Sequence, residues 1–194
     1  MRRRRLLATG VVLFGLGGCG AQTDLGVDAD CVDTERAGNP VLVLMAQAVP
    51  SSTLIPCVNA VPASWRHGEV SVRTGRAQFA FASTSVESPD AVPLTVELTA
   101  TCDVSGATEV PSDEPGTRRW ERLESVAPAY VGERLYVYDG GCTTLRFALS
   151  GQDQVQAVGE SSLAVGFVTR DSVRKQIHDR SEGRFSLDPP RSQR

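Results

Sequence analysis

Residues 135–149 read LYVYDGGCTTLRFAL, two runs of strand-forming side chains on either side of Gly140-Gly141. Tyr136, Tyr138 and Phe147 suit a pleated, half-buried surface. Two glycines accept the positive φ angles that a type I′ turn demands at both central positions. The stretch predicts a hairpin, 135–139 against 142–149, with Cys142 at the start of the second strand. Strands joined by so short a turn run antiparallel, and that reading sets the fold class.

The same period of two recurs upstream. Leu94, Val96 and Leu98 alternate with Thr95, Glu97 and Thr99, as in a strand with one buried and one wet face. Val70 and Val72 precede Arg73-Thr74-Gly75-Arg76, and Ala77, Phe79 and Phe81 follow at alternate positions, which predicts a second hairpin. Residues 163–168 read as a last strand. Asn39 before Pro40 is a capping residue followed by a proline at the first helical position. Residues 40–49 therefore predict a short helix, with a buried strand as the competing reading. Thr169 or Asp171 caps a second helix ending near His178, with Val173 and Ile177 on its buried face. Pro56 and Pro62 are expected to break the chain into turns. Residues 105–116, rich in Gly, Ser, Pro and acids, read as a mobile surface loop. The sum is an α+β fold: a β-rich antiparallel sheet with hairpins and one or two short helices. Gly68-Glu69 and Gly132-Glu133 stand at similar places before the two hairpins, an echo we treat as coincidence.

The amino terminus has a different character. Arg2, Arg3, Arg4 and Arg5 precede an apolar run of 13 residues, 6–18, that ends in Leu16-Gly17-Gly18-Cys19. A membrane-spanning helix needs about 20 residues, so a basic head and a short apolar body ending in small residues read as a secretory signal. Leu16 to Cys19 resembles the lipobox of bacterial lipoproteins: a Leu, two small residues, then the Cys that is acylated. The resemblance implies diacylglyceryl transfer to the Cys19 thiol, cleavage after Gly18, and anchoring by lipid on the extracytoplasmic face of the cell membrane. Two or three acyl chains meet the requirement for stable anchoring, which a single chain does not. Export by the Sec or the twin-arginine route stays open. The stretch around Gly140-Gly141-Cys142 is also similar to uncharacterised secreted proteins of GC-rich bacteria, a resemblance that transfers no activity.

These readings divide the chain into a signal peptide (1–18), a lipid-anchored flexible tether (19–30), a single α+β domain (31–180) and a flexible C-terminal tail (181–194). At about 3.3 Å per residue, residues 20–30 reach roughly 36 Å at full extension. The mature chain would have 176 residues and a net charge of −7, with 16 Lys+Arg against 23 Asp+Glu. Such a body does not favour duplex DNA, so no nucleic-acid partner is expected. It would also be repelled from an anionic membrane surface.

The chain has five cysteines. With Cys19 lipidated, Cys31, Cys57, Cys102 and Cys142 remain as an even set in an oxidising compartment. Three pairings are open, and sequence does not decide among them; the arrangement we favour is Cys31–Cys57 with Cys102–Cys142. There is no C-x-x-C pair, and His67 and His178 lack ligand spacing, so neither a metal nor a cofactor is expected.

No catalytic residue is assigned. Gly159-Glu160-Ser161-Ser162-Leu163 lacks the second glycine of a hydrolase nucleophile elbow, and Asp113-Glu114, between Pro111 and Pro115, reads as a solvated loop. Trp65 and His67, with Arg119 and Trp120, combine aromatic and basic groups and form a candidate binding surface. The competing reading turns Trp120 inward from a polar strand. Together these features lead us to expect a non-enzymatic binding or accessory module of the cell envelope, whose partner is an envelope protein or a small ligand. The alternatives are a small-molecule or lipid carrier with an apolar pocket, or an envelope hydrolase.

Overall fold

Asn39 and Pro40 start the first helix as their chemistry requires. The Asn39 side chain accepts from the Val41 amide at 3.0 Å, while its own amide donates to the Asp30 carbonyl. The structure, a computed structural model, describes residues 29–31, 39–84, 92–126, 129–150 and 154–189. The signal peptide, Cys19 and the tether up to residue 28 lie outside the described residues, as do 190–194 at the end of the expected tail.

Helix α1 (Pro40–Ala48) is followed by β1 (Leu54–Val58), β2 (Trp65–Arg73), β3 (Arg76–Ser83), β4 (Leu94–Thr99), β5 (Thr108–Val110), β6 (Arg118–Ser125), β7 (Ala129–Tyr138) and β8 (Gly141–Ser150). The chain then forms α2 (Gln154–Ala164), β9 (Val165–Thr169) and α3 (Arg170–Arg180). Seven strands make one sheet in the order β2-β3-β4-β8-β7-β6-β5, and β1 pairs with β9 in a second. Every pairing between these strands is antiparallel. The protein is thus a β-rich antiparallel α+β fold with a few short helices.

Register explains the core. Phe79 lies opposite Val96, and Val96 opposite Leu145, so the alternating apolar residues of β3, β4 and β8 share one face. Met45 and Ala46 of α1, both fully buried, join this face in one apolar cluster with Ile55 of β1. At about 25 cal/mol per Å² of apolar area removed from water, such a layer is the main source of stability in a domain of this size.

The hairpin from 135 to 149 forms, but its turn lies one residue earlier than expected. Tyr138 pairs with Gly141, leaving Asp139 and Gly140 as the turn, and of these only Gly140 has a positive φ, of 66°. A type I′ turn needs both central residues there, so this is a different turn. The glycines serve close approach as well: a Cβ on Gly140 would stand 1.9 Å from the Ser51 carbonyl oxygen, and one on Gly141 2.5 Å from Ser52 Oγ. Ser51 Oγ donates to the Gly140 carbonyl at 2.6 Å, and Thr53 Oγ1 to the Asp139 carbonyl at 2.8 Å. The hairpin tip therefore docks on the loop that follows α1.

Other expectations need correction. Pro56 does not break the chain; it lies inside β1, opposite Phe167. The Val58 amide donates away from β9, to the Ala29 carbonyl. The site two residues earlier, where proline lacks a donor, faces that same outer edge, where the missing bond costs nothing. The 105–116 stretch contributes the edge strand β5. Glu97 is not on a wet face but 8% exposed. Helix α2 gave no legible signal. Ala29, assigned to the tether, is buried, and so is Leu187 in the expected tail. The buried Arg170 guanidinium holds that tail by donating to the Asp188 carbonyl at 2.9 Å.

Candidate functional site

Two disulfides join Cys31 to Cys57 and Cys102 to Cys142. The first pins the start of the domain to β1. The second ties the loop after β4 to the start of β8, and Cys142 lies there beside Trp120 and Leu135 in a small apolar cluster. Disulfides of this kind suit an extracellular or periplasmic protein. Among the described residues, no helix is long and apolar enough to cross a membrane.

The four residues singled out as a binding surface are not brought together. Trp65 and His67 lie in β2 and Arg119 and Trp120 in β6, five strand steps apart. At about 4.8 Å per step this is roughly 24 Å. Trp65 and His67 lie within β2, their rings 5.5 and 6.4 Å from that of Phe81. Arg119 and Trp120 also part company, because successive strand residues point to opposite faces. Trp120 turns inward under the Arg118 guanidinium, which lies 4.5 Å above its ring.

Arg119 instead enters a cluster that spacing along the chain conceals. It lies opposite Tyr136, and its guanidinium reaches Asp113 at 3.0 Å. Tyr136 donates its hydroxyl to the same carboxylate at 2.9 Å, with its ring against Phe167 of β9. Burial alone would raise the Asp113 carboxyl, but the Tyr136 hydroxyl and the Arg119 guanidinium hold it below its usual value. Glu121 bonds Arg134 at 3.0 Å and stands 3.6 Å from Arg119 Nε, a buried nitrogen with no hydrogen bond of its own. Two guanidiniums thus face two carboxylates, and the expected solvated loop is fastened to the sheet through Asp113.

The opposite face carries a row of alternating charges across five strands: Arg76, Glu97, Arg146, Glu133 and Arg122. Glu97 receives Arg76 at 2.9 Å and also bonds Arg146; Glu133 receives Arg146 at 2.9 Å and Arg122 at 2.6 Å. Arg122 further donates to the Ser105 carbonyl at 2.6 Å. Alternation along β4 singled out only Glu97; the register shows that these charges alternate in sign across the sheet.

Three buried hydroxyl groups, of Ser161, Tyr138 and Thr143, are engaged within the fold. Ser161 is fully buried in α2 and donates to the Val158 carbonyl at 2.7 Å. Tyr138 donates to the Leu54 carbonyl at 3.1 Å and meets Thr143 at 2.8 Å; burial pushes its hydroxyl up to about 12. Among the described residues, no group of His, Cys, Asp and Glu could hold a metal ion. A concavity of about 280 Å³ lies between α1 and the end of α3, lined by Val43, Ile177, Arg180, Arg184 and Phe185 among others.

No known protein family matches the chain, and no curated protein does. A solved structure from Bacteroides thetaiotaomicron VPI-5482 is similar over 61% of this chain and 46% of its own, at 11% identity and a TM-score of 0.32. The chain spans about half the length of that protein. A likeness at this level carries no argument, and no enzyme family is indicated.

Proposed function

We propose that the protein is a lipoprotein anchored through Cys19 on the extracytoplasmic face of the cell membrane, its folded domain acting as a non-enzymatic binding or accessory module. The observation that carries this reading is the cysteine arithmetic. Cys31, Cys57, Cys102 and Cys142 are consumed in two disulfides, which leaves Cys19 as the odd thiol, directly after Leu16-Gly17-Gly18. The state of the polar groups supports a module over a hydrolase: Asp113 is engaged by Tyr136 and Arg119, and Ser161 is buried against a carbonyl. The filling of the space under the sheet by Phe79, Phe81, Leu94 and Met45 supports a module over a carrier.

The test is direct. The amino-terminal peptide of the native protein should carry acyl chains on Cys19, and the protein should stay with membranes after a high-salt wash. Cys19→Ser should release it. An unmodified Cys19, or retention of the Cys19→Ser protein after the wash, overturns the anchor.

A further inference from the structure

The large sheet ends at β2 on one side and at β5 on the other. The β5 edge is three residues long, and its Glu109 carboxylate is held within the sheet by the Arg118 guanidinium. The charges of β2 are left differently. Glu69 and Arg73 are both exposed, and neither makes an ion pair with a described residue. They stand four residues apart on one strand, about 13 Å, too far to meet each other. Arg73 lies directly opposite Arg76, a like-charge arrangement that destabilises a sheet. Glu97 neutralises Arg76, but no described carboxylate reaches Arg73.

The backbone of β2 fixes what this edge can take. Arg73 and Arg76 flank a two-residue turn, Thr74-Gly75, and so form a hydrogen-bonded pair. Alternation then turns the amide and carbonyl of Val72, and those of Val70, away from β3. These outward groups bond no other described residue. The two side chains lie opposite Ala77 and Phe79 and carry the core layer to the rim, where Val70 is 36% exposed. Glu69, Ser71 and Arg73 project from the other face. The register shift between His67 and Val70 limits the regular run to residues 69–73.

We infer that β2 is a dimerisation edge, joined antiparallel to β2 of a second copy of this chain about a two-fold axis through Ser71. Outward-facing residues pair with outward-facing residues, which leaves three registers: Val70 opposite Val70, Val72 opposite Val72, or Val70 opposite Val72. The first two set Glu69 against Ser71 or Gly75 and leave both charges unpaired. The third sets Glu69 of each copy opposite Arg73 of the other, so that one contact is made twice, as a two-fold interface requires. It brings a carboxylate to the crowded Arg73–Arg76 pair and joins Val70 and Val72 of both copies in one apolar strip. Two seven-stranded sheets become one continuous sheet. The inference holds with or without a lipid on Cys19.

The mature chain carrying Cys19→Ser, which has no lipid, tests it in solution, where sedimentation should show a monomer–dimer equilibrium. Glu69→Arg and Arg73→Glu should each weaken the dimer roughly tenfold, with an unchanged near-ultraviolet spectrum to show that the fold survives. Mixed together, the two variants should associate, because each like-charge contact is then replaced by an opposite pair. Glu69→Arg combined with Arg73→Glu in one chain should dimerise as the parent does. Ser71→Cys should cross-link to its counterpart under mild oxidation, since opposed residues of a non-hydrogen-bonded pair lie about 4.5 Å apart at Cα. Thr74→Cys, in the exposed turn, should not. A parent chain that stays monomeric up to its solubility limit, a dimer indifferent to both charge reversals, failure of the two reversals to associate on mixing, or equal cross-linking from Ser71→Cys and Thr74→Cys would each overturn the edge.

Discussion

The two ends of the large sheet are held by different means. Under β3, β4 and β8 lies a continuous apolar layer, with Phe79, Phe81, Leu94 and Val96 sealed beneath α1 and β1. Toward β5 and β6, the other face has only a small cluster, Trp120 and Leu135 with Cys142. That end is fastened by point links: the Cys102–Cys142 disulfide, the bidentate Arg118–Glu109 pair and the Tyr136–Asp113–Arg119 contact. An apolar layer is a sum of many small contacts and degrades by degrees. Point links are few and specific, and each has its own chemical vulnerability, to reductant, salt or acid.

Phe79→Ala attacks the sealed end and should have the largest effect. It is expected to cost about 3–5 kcal/mol and lower the denaturant midpoint in one cooperative step. Replacing Cys102 and Cys142 together with Ser should cost about 2–4 kcal/mol. Hydrogen exchange should then rise first in β5 and β6, with β3 still protected; a uniform rise would erase the distinction between the ends. The smallest effect belongs to Asp113→Asn. Because the folded carboxyl titrates below its usual value of 3.8, its contribution is full above that pH and is lost as pH falls through the lower folded value. The substitution should lose that small contribution at neutral pH and, in consequence, flatten the acid limb of the stability curve below pH 3.8. An unchanged acid limb would remove Asp113 from the fastening of the edge.

Local chemistry was legible in the sequence, and tertiary placement was not. Asn39-Pro40 announced α1, and Thr169, whose hydroxyl accepts from the Ser172 amide, announced α3. Alternation marked β3, β4 and β8. Pro56 misled because its tolerance depends on which edge of β1 is paired. The α2 sequence, QVQAVGESSLA, contains a glycine and two serines, weak helix formers that hide the element. The Gly-Glu echo had a shared structural basis that sequence could not supply. Gly68 lies at a register shift in β2, and Gly132 faces one in β6. A Cβ would stand 2.9 Å from the Ala80 carbonyl oxygen at Gly68, and 2.7 Å from that of Arg122 at Gly132. Of the candidate site, the cysteines were visible as a count. The cluster around Asp113 was not, since Tyr136 is 23 residues away and their contact depends on how the loop folds over the sheet.

The position of β8 between β4 and β7 has a consequence in time. A chain is made from its amino terminus, so the meander β2-β3-β4 can form while the strand that closes its far side has yet to emerge. Until then β4 offers an unpaired edge with Leu94, Val96 and Leu98 beside it, a template for association with other chains. The second strand of the 135–149 hairpin is therefore also the piece that ends this exposure: the sheet becomes continuous only when residues 141–150 arrive.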